Sequence, residues 1–91
     1  MRFSFHHTHA YPGCGVTVEE DGIEPGALVD FVDGAVCAGR YAYRPSGEIE
    51  LVVEPYVTAR GTAIARKRWL LKSSGGAREW KVAARLDASA A

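Results

Sequence analysis

A cluster of basic side chains in the second half of the chain is the part of the sequence best suited to chemistry. Five bases fall within thirteen residues, with one tryptophan among them and a second further on: Arg60, Arg66, Lys67, Arg68 and Lys72, then Trp69 and Trp80. If this segment is a strand, Arg66, Arg68 and Lys72 share one face. Such a track of cations releases counterions when it binds a nucleic-acid backbone, and an exposed ring such as that of Trp69 can stack on a base. The segment 60–72 therefore predicts a surface for an anionic macromolecule.

The same cations have a structural alternative. A strand carrying Glu48, Glu50 and Glu54 is a natural sheet neighbour for a basic strand, and opposite charges on adjacent strands stabilise a sheet modestly. The formal net charge of the chain is zero, whereas a dedicated nucleic-acid binder usually carries a basic excess. We therefore expect a protein partner ahead of RNA or single-stranded DNA.

The zero total hides a division of charge between the two halves of the chain. Residues 1–54 carry nine acids and three bases, a balance of −6, and residues 55–91 carry eight bases and two acids, a balance of +6. The acidic half contains a run that packing does not explain, which we interpret as an acidic interaction patch: Glu19, Glu20, Asp21 and Glu24. Polarised charge orients a small protein towards its partner, so this division indicates a binding module.

The histidines near the N-terminus raise the question of a metal site. His7 and His9 lie two residues apart and point to the same side of a strand, and Cys14 follows a nearby turn. Two imidazoles and a thiolate suit zinc with an open position, and Cys37 on another strand could supply a fourth ligand. The segment provides no carboxylate to orient these ligands. We therefore expect surface histidines, no bound metal and no cofactor.

An enzyme is a further alternative, in the form of a small ribonuclease-type toxin. One of the histidines, a carboxylate such as Glu54 and one of the arginines could serve as base, acid and phosphate ligand. The sequence contains no nucleophile elbow, phosphate-binding loop or dinucleotide fingerprint. We therefore predict a protein that is not an enzyme.

Length and composition fit one small domain. The chain has 91 residues, 47% hydrophobic and 24% charged, which is ordinary for a globular protein and sufficient for a single modest core. No apolar stretch has the length of a signal peptide core or a membrane span. This predicts a cytoplasmic protein in which Cys14 and Cys37 are free thiols. The domain is expected over residues 1–86, followed by a flexible tail, 87–91.

Turn residues and alternating side chains predict antiparallel strands. Asp33-Gly34 has the composition of a two-residue type I′ hairpin turn, and Pro45-Ser46-Gly47 that of a second turn. Around these turns, apolar residues alternate with polar ones, as in a sheet with one solvated face. The residues expected in the core are Leu28, Phe31, Ile49, Leu51, Val53, Trp80, Val82 and Leu86.

The segment 61–72 fits two secondary structures. As a helix it has Thr62 as N-cap and good helix formers in 63–68, but its apolar residues form no stripe on a helical wheel. As a strand it pairs with 77–86 through the loop Ser73-Ser74-Gly75-Gly76. We favour the strand.

These observations predict an all-β domain. We expect a small antiparallel meander that either closes into an SH3-like or OB-like barrel or forms a strongly bent sheet. The alternative is an α+β domain with a short helix at about 62–72. The segment 24–31 resembles the opening of SH3-like barrels in its general texture. The expected function is that of a small regulatory binding module, such as an inhibitor from a phage or mobile element, with nucleic-acid binding through 60–72 as the alternative.

Overall fold

The computed structural model describes residues 1–7, 10–20 and 26–86, and within these ranges the chain forms nine strands and no helix. The strands are β1 (Arg2–Phe5), β2 (Gly15–Glu19), β3 (Ala27–Phe31), β4 (Val36–Tyr43), β5 (Ile49–Val53), β6 (Tyr56–Val57), β7 (Ala63–Ile64), β8 (Lys67–Ser73) and β9 (Glu79–Arg85). Seven of them close into a barrel in the order β1-β2-β9-β8-β5-β4-β3, and β6 and β7 form a separate hairpin. The prediction of an all-β barrel is confirmed.

The barrel closes because β1 pairs on both of its sides. It runs antiparallel to β2, with Phe3 opposite Val18, and parallel to β3, with Phe5 opposite Phe31. The remaining pairs are antiparallel, and β3, β4, β5, β8 and β9 follow one another as the predicted meander, interrupted only by the β6–β7 hairpin. The parallel pair has no local signal in the sequence, because its two strands are joined through β2.

Three hairpins use the same three-residue loop ending in glycine. The backbone N–H groups of Gly34, Gly47 and Gly61 donate to the carbonyl oxygens of the residues three positions earlier at 2.8–2.9 Å. Each of these glycines has a φ near +90°, which is open to glycine without strain. No other residue type in the described ranges has a positive φ, so the type I′ turn predicted at Asp33-Gly34 is wrong. The loop is 32–34, closed by a glycine bulge.

The uncertain segment 61–72 is extended, as favoured above. It contains the short strand β7 and the longer strand β8, and β8 pairs with β9 across the predicted hairpin. The register between them shifts at Leu70/Leu71, because Leu70 faces Ala84 whereas Leu71 faces Val82. Ala83 is therefore the extra residue of a β-bulge in β9, and a bulge changes the side to which later side chains point.

The core is aromatic towards one end and aliphatic in the middle. The Phe5 ring lies 5.0 Å from the rings of both Phe31 and Trp69. Five of the eight residues predicted to be buried are buried: Phe31, Ile49, Leu51, Val53 and Val82. The other three, Leu28, Trp80 and Leu86, are only partly buried. Leu28 was assigned to the wrong face, because β3 turns Ala27, Val29 and Phe31 inwards.

Leu51→Ala tests the register of the central strand. Leu51 is fully buried in β5, and its neighbour Val52 points outwards. A buried leucine truncated to alanine typically lowers the free energy of unfolding by about 2–5 kcal/mol, whereas Val52→Ala should change it by less than about 1 kcal/mol. Denaturant unfolding of the two variants measures the difference. Equal losses would contradict the register of β5.

Candidate binding site at the mouth of the barrel

One end of the barrel, here called the mouth, is where β1, β3, β5 and β9 end and β2, β4 and β8 begin. The β6–β7 hairpin connects β5 to β8 at this end. Its Tyr56 ring stacks on that of Phe31, with centroids 5.1 Å apart and planes inclined by 20°. The hairpin therefore lies against the aromatic part of the core and forms one wall of the mouth.

A cavity of about 160 Å³ opens beneath this hairpin. Its apolar walls come from Phe31, Tyr56, Ile64 and Trp69, and its charged groups are Asp33, Lys67 and Arg85. A concave apolar surface with a few converging polar groups is the usual form of a ligand site. The mouth is therefore our candidate functional site.

The strand geometry explains why two cations reach the cavity. Lys67 shares the inward side of β8 with Trp69 and Leu71, because alternate residues of a strand point to the same face. Arg85 is opposite Trp69 in the register. It also lines the cavity, because the bulge at Ala83 shifts the alternation of β9 by one residue.

Trp69 brings an unsatisfied donor to this site. Its side chain is 3% exposed, and its indole Nε1 is buried without a hydrogen-bond partner. Across the described ranges, the only other buried side-chain nitrogen in this condition is Nε of Arg2, which lies at the opposite end of the barrel. An unpaired buried donor costs about 1–3 kcal/mol, so this indole N–H lowers the stability of the fold.

Two of the oxygen-bearing side chains that line the cavity, Asp33 and Tyr56, differ in their availability. The Asp33 carboxylate accepts a hydrogen bond from the backbone N–H of Ala35 at 3.1 Å and so fixes the β3–β4 loop. The pKa of Tyr56 is raised, first by burial and then by the nearby Cys37 and Asp33. The Tyr56 hydroxyl therefore stays protonated at neutral pH and can donate.

The predicted basic surface is divided by an ion-pair cluster. The Glu50 carboxylate on β5 accepts hydrogen bonds from Arg68 on β8 and from Arg44, the latter at 3.2 Å. Glu54 pairs with Arg40 at 3.5 Å, and Glu48 accepts from the hydroxyl of Ser46. Pairing with the acidic strand is thus confirmed for Arg68. Arg66, Lys67, Lys72 and Arg60 make no ion pair with any residue in the described part of the chain.

The remaining cations fall into two groups. Arg66 and Lys67 lie where β8 begins, at the mouth, and Arg60 lies in the loop at the tip of the β6–β7 hairpin. Lys72 lies about 20 Å further along β8, directly opposite Lys81. Arg68 and Lys72 share the outward side of β8, and Arg66 is exposed just before it, but Glu50 already engages Arg68 within this row. Trp69 is inside the barrel, so its ring offers no exposed face on which a base could stack.

Exposed apolar side chains surround the mouth. We define the rim as Tyr11, Val32, Val36 and Val57, which are all large hydrophobic residues at the surface. Val32 and Val57 are 64% and 62% exposed, and they belong to the β3–β4 loop and the β6–β7 hairpin. Apolar side chains grouped around a cavity mark an interaction surface more strongly than single exposed ones do.

The other predicted sites receive less support from the geometry. Glu19 and Glu20 are exposed at the end of the barrel opposite the mouth, while Asp21 and Glu24 lie outside the described residues. His7 is exposed with its ring 5.4 Å from that of Tyr11, and Cys14 is buried; His9 lies outside the described residues. In the part of the chain that the structure describes, no three metal-binding side chains come together.

The thiols and the ribonuclease constellation show no catalytic arrangement. Burial and the nearby Asp30 raise the pKa of Cys37 to about 11, so its thiol is protonated and a poor nucleophile or metal ligand at neutral pH. His6 shares a hydrogen bond with Thr17 on the outside of β1 and β2. Glu54 pairs with Arg40 on β4, and β4 is two strands away from β1 in the barrel order.

Comparison with protein-family models, curated proteins and solved structures finds no match to this chain. Within the described ranges there is no helix long and apolar enough to cross a membrane. The assignment of a function therefore depends on the geometry of the mouth.

The Glu50 cluster predicts a measurable titration. Hydrogen bonds from Arg68, and secondly from Arg44, lower the pKa of Glu50. A lowered pKa in the folded state means that the charged carboxylate stabilises the fold above its unfolded pKa, and that this stability is lost as the pH falls through the folded pKa. Carboxyl-carbon NMR should show Glu50 titrating below its ordinary range. Arg68→Gln should raise this midpoint, and Arg40→Gln should leave it unchanged. An ordinary midpoint in the unaltered protein would contradict the cluster.

Proposed function

We propose that the protein is a small non-enzymatic binding module that engages an acidic protein partner through the mouth of its barrel. The observation that carries this proposal is the combination at one end of an apolar rim with cations that the fold does not pair. Val32 and Val57 offer aliphatic surface, and Arg60 and Arg66 offer positive charge beside it. Apolar area supplies affinity, while complementary charge supplies orientation and association rate.

The chemistry of the rim favours a protein over a nucleic acid. Bases are bound by stacking on exposed aromatic rings. Trp69 is buried, Tyr56 is stacked on Phe31, and Tyr11, the aromatic residue of the rim, already lies against the ring of His7. Valine side chains do not provide a stacking surface, and they pack well against apolar side chains of another protein. The net charge of zero also gives no general attraction to a polyanion. Nucleic-acid binding through 60–72 remains the second proposal.

Regulation by occupation of a partner's surface fits the size of the site. The mouth presents one face of a 91-residue chain, and within the described ranges no three metal-binding side chains come together there. A module of this kind acts by competing for a surface or by holding one conformation of its partner. A small inhibitor is the simplest form of such a regulator.

Charge reversal at the mouth tests this proposal. Tagged protein is incubated with nuclease-treated lysate of its own host, and captured proteins are identified by mass spectrometry. Arg60→Glu with Arg66→Glu should weaken binding of a captured protein at least about tenfold, because two favourable charges become repulsive. Lys72→Glu with Lys81→Glu makes the same change in charge at the other end of β8 and β9 and serves as the matched control.

The outcomes separate the partner classes. Loss in the mouth variant with retention in the control supports the proposal, and Val57→Asp should reproduce the loss by placing a charge in the apolar rim. Equal loss in both double variants would contradict a site at the mouth. Capture that disappears on nuclease treatment, with co-purified RNA or single-stranded DNA in its absence, would replace the protein partner with a nucleic acid.

A further inference from the structure

The β6–β7 hairpin is the part of the fold whose strand edges are left open. In the described ranges, each of the seven barrel strands pairs on two sides, whereas β6 and β7 pair only with each other. An edge strand carries backbone N–H and C=O groups that can pair with a further strand. The hairpin is therefore the place where the backbone of another chain can add to this structure.

The hydrogen bonds of the hairpin show which backbone groups point to its open edges. The N–H of Thr58 donates to the carbonyl oxygen of Thr62 at 2.9 Å, so these two residues form a hydrogen-bonded pair. In an antiparallel ladder the bonded and non-bonded pairs alternate. The neighbouring pair, Val57 opposite Ala63, is therefore non-bonded. The N–H and C=O of Ala63 point to the outer edge of β7, and those of Val57 point to the outer edge of β6.

The two edges differ in how easily another strand can reach them. Pro55 precedes β6 and has no N–H, and proline at a strand edge hinders the addition of a further strand. Val57 adds a branched side chain on the same strand. On β7, Ala63 and Ala65 are both exposed and carry only methyl groups, so they leave the backbone accessible. The edge of β7 is therefore the more open of the two.

The charge around β7 selects the chemistry of an added strand. Residues 55–67 contain three bases and no acid. Arg60 lies three residues before Ala63 and Arg66 three residues after it, and neither forms an ion pair with a described residue. Opposite charges on neighbouring strands stabilise their pairing, and like charges oppose it. An extended segment with carboxylate side chains therefore fits this edge.

The same charges disfavour a second copy of this chain at the edge. If two β7 strands paired antiparallel around Ala63, Arg60 of one copy would approach Arg66 of the other. Both copies would also bring the uncompensated bases of 55–67 to the contact, and like charges destabilise such pairing. Charge complementarity therefore favours an acidic partner over a second copy.

We propose that the mouth engages its partner by β-strand addition, in which an extended acidic segment of another protein pairs with the open edge of β7. The N–H and C=O of Ala63 bond to the backbone of this segment, and Arg60 and Arg66 contact its carboxylates. In this mode of recognition, main-chain hydrogen bonds supply affinity and side-chain contacts supply specificity. Because β7 has only two residues, the backbone bonds are few, and the charges determine which segments bind. Strand addition at β7 rests on the function proposed above, because it is the form in which the acidic partner binds the mouth.

NMR of the ¹⁵N-labelled full chain tests strand addition, with a blocked seven-residue peptide of alternating threonine and glutamate as the probe. Threonine favours extended structure, and glutamate supplies the charge. Titration should give saturable shifts of the Ala63 and Ala65 amide signals, and nuclear Overhauser effects should connect the peptide backbone to that of Ala63. The same peptide with glutamine in place of glutamate has no charge and should bind at least about tenfold more weakly.

Two proline variants separate backbone pairing from general attraction of charge. Ala63→Pro removes the N–H at the open edge and should weaken peptide binding about fivefold, as expected for the loss of one hydrogen bond. Ala59→Pro is the matched control, because the turn closed by the bond from Gly61 to Thr58 favours proline at this position, and it should leave the affinity unchanged. Ala63→Val keeps the N–H and should weaken binding less than Ala63→Pro does. The spectra of the variants show directly that the fold is retained.

Strand addition at β7 is overturned by any of four results. The first is an absence of saturable shifts at Ala63 with millimolar peptide, and the second is equal affinity for the glutamate and glutamine peptides. The third is equal affinity of Ala63→Pro and Ala59→Pro for the glutamate peptide. The fourth is pairing with a second copy, seen as nuclear Overhauser effects at Ala63 between labelled and unlabelled chains without peptide.

Failure of strand addition is distinguishable from failure of the proposed function. If Arg60→Glu with Arg66→Glu weakens capture of a partner that Ala63→Pro and Ala59→Pro bind equally, the site at the mouth is retained and strand addition is wrong. If Ala63→Pro alone weakens binding of both the peptide and the captured partner, strand addition is supported. If the peptide pairs with Ala63 but charge reversal leaves capture unchanged, strand addition of an acidic segment is supported and the proposed site for the captured protein is wrong.

Discussion

The pairing of β1 with both β2 and β3 is the constraint on which the rest of the structure depends. Without it, β3, β4, β5, β8 and β9 form an open meander with an unpaired strand at its edge, a form that invites association with other chains. With it, Phe3 and Phe5 enter the interior, and the Phe5 ring meets Phe31 and Trp69 at 5.0 Å. One short strand thus joins the two halves of the chain around a single core.

Closure of the barrel also places part of the acidic half of the chain next to part of the basic half. In the barrel order, β5 lies between β4 and β8, so the acidic Glu50 has an arginine of its own half, Arg44, on one side and an arginine of the basic half, Arg68, on the other. The sheet therefore neutralises the acidic strand locally. The cations beyond the reach of this strand include those at the mouth and the opposed pair Lys72 and Lys81, where like charges oppose the pairing of strands.

The fold was largely predictable because its signals are local. Alternation in 49–53 and glycines at the hairpin loops follow from the geometry of paired strands, and both the barrel and the hairpin of β8 and β9 agree with that reading. The features that position the site are not local. Nothing about Ala83 marks it as a bulge, yet this residue turns Arg85 towards the cavity, and the burial of Trp69 depends on the parallel closure of β1 against β3.

The basic segment 60–72 contains one cation that the barrel pairs and others that it leaves without an ion pair among the described residues. Arg68 pairs with Glu50, whereas Arg66 and Lys67 beside it form no ion pair with any described residue. Trp69 lies beside them with a buried N–H that phenylalanine would not carry, and that donor lowers stability while it is unpaired. A core selected for packing alone would favour an apolar ring at this position. The larger indole is nevertheless accommodated there, because its ring packs against Phe5 and Phe31, and burial of its apolar area offsets the unpaired donor.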